Sequence, residues 1–264
     1  MNLGLNGKTA VVSGSTAGIG LAIAATLAAE GANVIVNGRT EARVTAALEK
    51  IRQRVANASL RGLAADLGTL SGVDTFVKQV PEADVLVNNL GIFELKPFLE
   101  ISDADWMRFF EVNVLSGVRL ARKYLPGMLK KNWGRIIFIS SESAQHIPPE
   151  MIHYGMTKTA QVAIARGLAE SIAGTGVTVN SVLAGPTASE GATRFVEHMA
   201  KQQNVSRAEI EKQFFINARP TSLLKRFETT EEVAAVVAFI ASTQATAISG
   251  AAVRAEGGVV RSIF

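Results

Sequence analysis

A glycine-broken junction near the N-terminus limits the folds open to this chain more than any other feature. Thr9-Ala10-Val11-Val12-Ser13 is a short apolar run, Gly14-Ser15-Thr16-Ala17-Gly18-Ile19-Gly20 interrupts it, and a helical pattern follows from Leu21 to Ala29. Strand, glycine turn and helix in that order open a parallel βαβ unit. Gly14, Gly18 and Gly20 permit a tight turn, let backbone N–H groups approach a pyrophosphate at the positive end of the helix, and let helix and strand pack closely. The spacing is Gly-x-x-x-Gly-x-Gly rather than the commoner Gly-x-Gly-x-x-Gly, so a plain βα turn is the competing reading.

The same alternation runs through the rest of the chain. Asn33 to Asn37 reads as a second strand, followed by a helix from near Thr40; Ser59 to Ala65 is a third, followed by a helix from Thr69 to Val80. Further strands are expected at Asp84 to Asn88, Gly134 to Ser141, Val177 to Leu183 and Ala251 to Ala255. Strands separated by helices predict an α/β fold, a doubly wound parallel sheet of about seven strands with helices on both faces. Ser102-Asp103-Ala104-Asp105 resembles a capped helix start, and the periodic run from Trp106 to Lys130 is long enough to cross the whole sheet. Asn113 falls inside that run, where it either points outward or marks a kinked helix carrying a buried polar group. Residues 190 to 229 break the rhythm with one short helix expected near Ala208 to Ile216, read as a substrate lid or, blandly, a helical insertion.

With 264 residues, 48% of them apolar, and no linker or repeat, the chain is expected to form one domain over 1–264. The absence of cysteine removes disulfides, thiolate metal sites and a cysteine nucleophile, and three histidines without ligand spacing make a zinc site a poor expectation. The N-terminus lacks a signal-peptide pattern and no apolar run is long enough to span a bilayer, so a soluble cytoplasmic protein is expected. The net charge of +4 is dispersed rather than patched, which disfavours nucleic acid and suits a phosphate-bearing cofactor.

Within that fold, ligands bind beyond the carboxyl ends of the strands. The second strand ends at Gly38-Arg39: the slot where an acid would take the two ribose hydroxyls of NAD is empty, and Arg39 can fork onto a 2′-phosphate. NADP is therefore favoured, with NAD possible; a solvated arginine is the bland alternative. Asp66, ahead of Leu67, can meet an adenine amino group or act as a loop or N-cap aspartate. Asn88 and Asn89, before Gly91, can bridge neighbouring strands beneath the cofactor. Tyr154 and Lys158 are four apart on an expected helix, which stacks phenol and ammonium on one face. A cation about 4 Å away is worth roughly 4 kcal/mol at an effective dielectric of about 20. That bound would draw a phenol from near ~10 towards ~7, where acid/base catalysis is most effective.

Taken together, these motifs resemble the short-chain dehydrogenase/reductase family from about Leu5 to Phe264. The matching residues are Gly14, Gly18, Gly20, Asp66, Asn88-Asn89, Gly91, Asn113, Ser141, Tyr154, Lys158 and Gly185-Pro186. The family serine lies thirteen residues before the tyrosine, which selects Ser141 over Ser140. The resemblance implies that Tyr154 exchanges a proton with substrate while Lys158 holds the nicotinamide ribose and depresses the tyrosine pKa. It further implies that Ser141 steadies the carbonyl oxygen and that Asn113 anchors a water linking Lys158 to solvent. The cofactor would lie on Gly14, Ser15, Thr16, Gly18, Ile19, Gly20, Arg39, Asp66, Leu67, Asn88, Asn89, Gly91, Tyr154, Lys158, Gly185, Pro186, Thr187 and Ser189. The implied reaction is hydride transfer between nicotinamide and a small-molecule carbonyl or secondary alcohol, in a homodimer or homotetramer, with a general likeness to the 3-oxoacyl-carrier-protein reductase branch. An NAD-linked sugar or steroid alcohol dehydrogenase and a non-catalytic nucleotide sensor are the alternatives. Ser13, Leu90, Ala184 and Glu256 depart from the family pattern, and His146 and His153 are expected to be spectators.

Overall fold

Seven apolar runs become seven strands of one parallel sheet: β1 (Thr9–Val12), β2 (Asn33–Gly38), β3 (Leu60–Ala64), β4 (Val85–Asn88), β5 (Gly134–Ser141), β6 (Val177–Ala184) and β7 (Ala252–Ala255). Their order is β3-β2-β1-β4-β5-β6-β7, and every neighbouring pair is parallel. The chain winds outward from β1 to β3, then returns beside β1 to lay down β4, so the winding reverses between β1 and β4. A crevice opens at the carboxyl ends of strands where this happens. The computed structural model describes residues 2–263, the side chain of Phe195 excepted; the expected outer limits Met1 and Phe264 lie outside the described residues.

The period of two along each strand divides the core. Ala10, Val12, Val34, Val36, Val85 and Val87 face a layer that includes the helices α1 (Gly18–Ala29) and α2 (Glu41–Arg54). Val11, Ile35, Leu86, Ile136 and Phe138 face the opposite layer, which includes α3 (Leu70–Gln79). Both faces are covered, which is why the strands read as nearly continuous apolar runs rather than alternating ones.

The expected single helix over 106–130 is interrupted. An α-helix, α4 (Asp103–Phe110), runs into one π-helical turn at Glu111–Leu115, then continues as α5 (Ser116–Lys131). The Ser102 start closes as a reciprocal capping box with Asp105. The next helix, α6 (Ile152–Ser171), lies against β5 and β6.

The insertion carries two helices rather than the one short helix expected. Ser189 caps α7 (Glu190–Gln203), Asn204 turns the chain with a φ of 53°, and Ser206 caps α8 (Arg207–Asn217), which packs back on α7. Asn tolerates that left-handed turn better than most residues. The chain then pairs Glu228 with Thr187 through an isolated parallel bridge before α9 (Thr230–Ala241) covers the α1 side of the sheet. Among the described residues, no helix is long and apolar enough to cross a membrane.

Candidate active site

The glycine turn is built to present backbone donors. Gly14 and Gly18 sit at φ of 61° and 54°, conformations a side chain rarely adopts. The helix α1 begins at Gly18, three residues earlier than its apolar pattern, with Ala17 as a cap that offers no side-chain acceptor. No acidic residue occupies the first turn either, so this end is open to an anion. A Cβ on Gly20 would lie 2.4 Å from Asn89 Nδ2 and 2.6 Å from the Gly14 carbonyl, which explains the third glycine by close approach. Asn89 in turn donates to the Ser13 and Gly14 carbonyls, and Ser13 Oγ accepts the Asn89 and Leu90 amides. Ser13, one of the departures from the family pattern, thus supplies the hydroxyl that ties β1 to the end of β4. Asn37 is a bridge the sequence reading did not single out: its Oδ1 accepts from the Gly14 amide, and its Nδ2 donates to the Leu63 and Ala65 carbonyls.

At the end of β2, a Cβ on Gly38 would sit 2.4 Å from the Thr16 methyl, so the residue is glycine for packing as well as for an empty acidic slot. Arg39 is exposed, and among the described residues it has no ion-pair partner. Asp66 is exposed with Oδ1 accepting the Gly68 amide, an Asx turn, while Thr69 rather than Asp66 caps α3. The Leu67 side chain is buried in the core, which leaves its backbone as the part that could reach a ligand. The Asn88 amide is buried and, among the described residues, neither of its polar atoms is paired, in contrast to the strand-bridging role expected of it. On the far side, Thr187 Oγ1 donates to the Gly185 carbonyl, and Ser189 lies where a Cβ on Gly18 would touch it at 3.2 Å. The residues expected to bind phosphate and nicotinamide thus sit at or just beyond the carboxyl ends of β1, β4, β5 and β6.

Tyr154 and Lys158 share one face of α6, as the spacing of four requires. The π turn swings Asn113 inward, where it is buried: Oδ1 accepts the Ile92 amide at 2.8 Å, and Nδ2 donates to the Ile92 carbonyl and Thr157 Oγ1. Between the two alternatives for Asn113, the kinked helix is the one formed. Gly91 lies against the same group, since a Cβ there would be 3.5 Å from Lys158 Nζ and 3.6 Å from Asn113 Oδ1.

One expectation about this cluster is corrected. Lys158 Nζ donates to the Ile139 carbonyl at 2.9 Å and to Gln161 Oε1 at 3.2 Å, and stands 5.5 Å from the centre of the Tyr154 ring. The Tyr154 phenol is not depressed. Burial pushes it well above its ordinary 10.0 and the Glu142 carboxylate raises it further, against the opposing pull of a Ser141 hydrogen bond and the Arg219 charge. Burial also brings the Lys158 ammonium down to about 8, with Glu142 opposing the fall. Gln161 joins the same cluster, its Nε2 donating to the Asn113 carbonyl at 2.6 Å.

Glu142 and Arg219 are the main residues that sequence reasoning missed. Ser141 Oγ donates to Glu142 Oε2, which also accepts the Ser143 amide and hydroxyl. Glu142 Oε1 accepts from Arg219 Nε at 2.9 Å, and each side chain is only 5% exposed. The signal for Glu142 was its place directly after Ser141, at the buried end of a strand; Arg219 carried none. A cavity of about 400 Å³ opens over Ser141, Glu142 and Tyr154, walled by apolar side chains that include Phe93, Met151, Val196, Ile210 and Phe214. The α7–α8 hairpin supplies much of that wall. His146 is exposed, and His153 is buried against the Phe109 ring at 4.0 Å, with burial lowering its pKa.

Residues 8–219 match the family model described as short chain dehydrogenase. The uncharacterized oxidoreductase YvaG of Bacillus subtilis is 49% identical over 264 residues, covering 100% of both chains. The 3-oxoacyl-[acyl-carrier-protein] reductase FabG of Aquifex aeolicus is 32% identical over 262 residues, covering 98% of this chain and 100% of that one. Among solved structures, L-sorbose reductase from Gluconobacter frateurii, complexed with NADPH and L-sorbose, superposes with a TM-score of 0.94 at 30% identity and full coverage of both chains.

Proposed function

The chain belongs to the short chain dehydrogenase family, whose members are NAD(P)-dependent oxidoreductases acting on CH–OH groups, and from that premise we propose that it is an NADP-linked enzyme interconverting a carbonyl and a secondary alcohol whose substituents are largely apolar. The observation that carries this reading is the meeting of Ser141 and Tyr154 at the floor of an apolar cavity, beside the open end of α1. When bound, the nicotinamide supplies the hydride. The chain's own residues do the rest. The uncapped first turn of α1 and the Gly14–Gly20 backbone bind the pyrophosphate, and Arg39, exposed and unpaired, takes a 2′-phosphate. Gly91 leaves room beside Lys158 for a ribose, and Thr187 and Ser189 hold the carboxamide side of the ring. Tyr154 gives its proton to the substrate oxygen in reduction and takes it back in oxidation.

The apolar lining favours a ketone with an alkyl, aryl or acyl chain over a polyol, which keeps 3-oxoacyl thioesters within the reading. The 190–229 segment serves as the substrate lid, since α7 and α8 wall the cavity from above. Assembly as a homodimer or homotetramer belongs to the same proposal and is read by sedimentation velocity. The test is NADPH and NADH consumption across acyl thioesters, sugars, steroids and small ketones, repeated with Arg39→Ala. Apolar ketones turning over with NADPH, with preference for it reduced in the variant, support the reading. Unchanged cofactor preference overturns the NADP assignment, and turnover confined to sugars overturns the substrate class.

A further inference from the structure

The cavity over Ser141 and Tyr154 is walled largely by apolar side chains, and among the described residues the one cation lining it is Arg219. Arg219 follows α8 and is 4% exposed, its Nε donating at 2.9 Å to Glu142 Oε1 on the floor. A guanidinium carries five N–H donors and no acceptor. Nη1 donates to the Ala218 carbonyl at 2.9 Å and lies 3.6 Å from Glu150. Nη2 donates to no described residue, and it is not sealed from solvent as the unpartnered Arg135 Nη2 is. An unsealed amine on a buried residue that lines a cavity opens into that cavity. A ligand that fills the space without an acceptor for Nη2 leaves a charged donor bare, whereas one with an acceptor gains a charge-assisted hydrogen bond.

Glu142 fixes where that donor stands. Its Oε2 accepts the Ser141 hydroxyl and the Ser143 amide and hydroxyl, while Oε1 accepts Arg219 Nε. Ser141 and the guanidinium are therefore separated by the width of one carboxylate and a hydrogen bond at each end. Two carbonyl groups joined through a single methylene bridge such a span, one oxygen at Ser141 and the other at Nη2. The hairpin brings further polar groups to the cavity, Gln203, Gln213 and Asn217, but none of them bonds to Ser141 or Glu142, and Gln213 donates to Glu209. Charge sets the kind of oxygen. Glu142 and Glu150 already place two carboxylates beside one guanidinium, so a ligand carboxylate would be a third, whereas a neutral carbonyl accepts from Nη2 without adding charge.

We propose that Arg219 Nη2 is the subsite for a second, uncharged carbonyl oxygen, so that the substrate is a 3-oxo ester, thioester or amide whose ketone lies at Ser141 and Tyr154. The proposal deepens the reading of this cavity as a carbonyl-reduction site and rests on it. Arg219 selects among ketones and takes no part in hydride or proton transfer.

The test compares three compounds in the full chain with NADPH: ethyl acetoacetate, heptan-2-one, which has the same chain length without the ester, and acetoacetate, which carries a charge in its place. KM is the readout, because an interaction with a remote oxygen is felt in binding while the greater reactivity of a 3-oxo ester is felt in kcat. The ester should show a KM about tenfold or more below that of heptan-2-one, the range expected of one hydrogen bond to a charged group, and acetoacetate should bind more weakly than the ester. Arg219→Lys keeps a cation for Glu142 but has a single amine, so it should raise KM for the ester by about tenfold and leave heptan-2-one within about twofold. A parallel rise for both compounds means that Arg219 only braces Glu142, and it overturns the subsite. Preference for acetoacetate overturns it as well. Should the variant not fold, the unaltered protein decides, since equal KM for ester and ketone refutes the subsite. A protein that reduces no ketone fails the parent reading instead, and binding then decides. Dimethyl malonate, with two ester carbonyls and no ketone, should bind about tenfold more weakly to Arg219→Lys than to the unaltered protein in saturation-transfer NMR; equal binding overturns the subsite.

Discussion

Glu228 makes a pH-dependent contribution to stability that one substitution should abolish. Its side chain is buried, Oε2 accepts the Gly185 amide at 3.3 Å, and among the described residues Oε1 has no partner. Burial raises its carboxyl from an ordinary 4.5 to about 7; the Gly185 hydrogen bond opposes the rise, and the charges of Glu232, Glu256 and Glu142 add to it. Because the folded pKa lies above the unfolded one, the folded state keeps a proton that the unfolded chain has already released. Stability from this group is fully present below about 4.5 and is lost as pH rises through about 7. At roughly 1.4 kcal/mol per pH unit, the loss is about 3 kcal/mol. Glu228→Gln keeps an oxygen for Gly185 and carries no charge at any pH. Urea unfolding of both proteins across this range isolates the term, since every other titrating group is shared. The unaltered protein minus the variant should fall by about 3 kcal/mol between pH 4.5 and the far side of 7. A flat or rising difference would refute the argument, because it would mean the folded protein accommodates the charged carboxylate as well as water does.

Three further outcomes are expected. Tyr154→Phe should lower carbonyl reduction by roughly 10² to 10⁴-fold with circular dichroism unchanged, as removal of a general acid alone requires. Arg219→Met strands the Glu142 carboxylate in a buried site and should destabilise the fold by about 3–5 kcal/mol in urea unfolding; a loss below about 1 kcal/mol would make the pair no stronger than a surface one. Gly20→Ala drives a methyl group into Asn89 and the Gly14 carbonyl and should cost about 1–3 kcal/mol, with weaker NADPH binding by fluorescence titration.

What the sequence made legible followed from local rules. Strand runs and glycine turn fix the parallel sheet because apolar period and backbone conformation are properties of neighbouring residues. The spacing of Tyr154 and Lys158 fixes their shared face for the same reason. Long-range pairing was not legible. Nothing beside Arg219 announces Glu142, 77 positions away along the chain, and nothing in the Tyr154 to Lys158 spacing shows that the ammonium turns to the Ile139 carbonyl. The sign of the Tyr154 shift was misjudged because a pairwise charge estimate omitted desolvation, the largest influence on a buried phenol. Helix α7 was missed where its capping residue, Ser189, was read as a ligand contact instead. The place of Gln161 against the Asn113 carbonyl depends on α6 meeting the π turn, which no local pattern announces.

That π turn has a consequence for how the chain can change. One residue more than an α-helical turn needs is stored at 111–115, and each residue advances a helix by about 100°. Because the wide turn itself absorbs that residue, deleting one position there would restore an ordinary α-helical turn and leave Leu120, Tyr124 and Met128 facing the core. What such a deletion would remove is the bulge that turns Asn113 inward, so the extra residue is held by the site it shapes and not by the packing of α5.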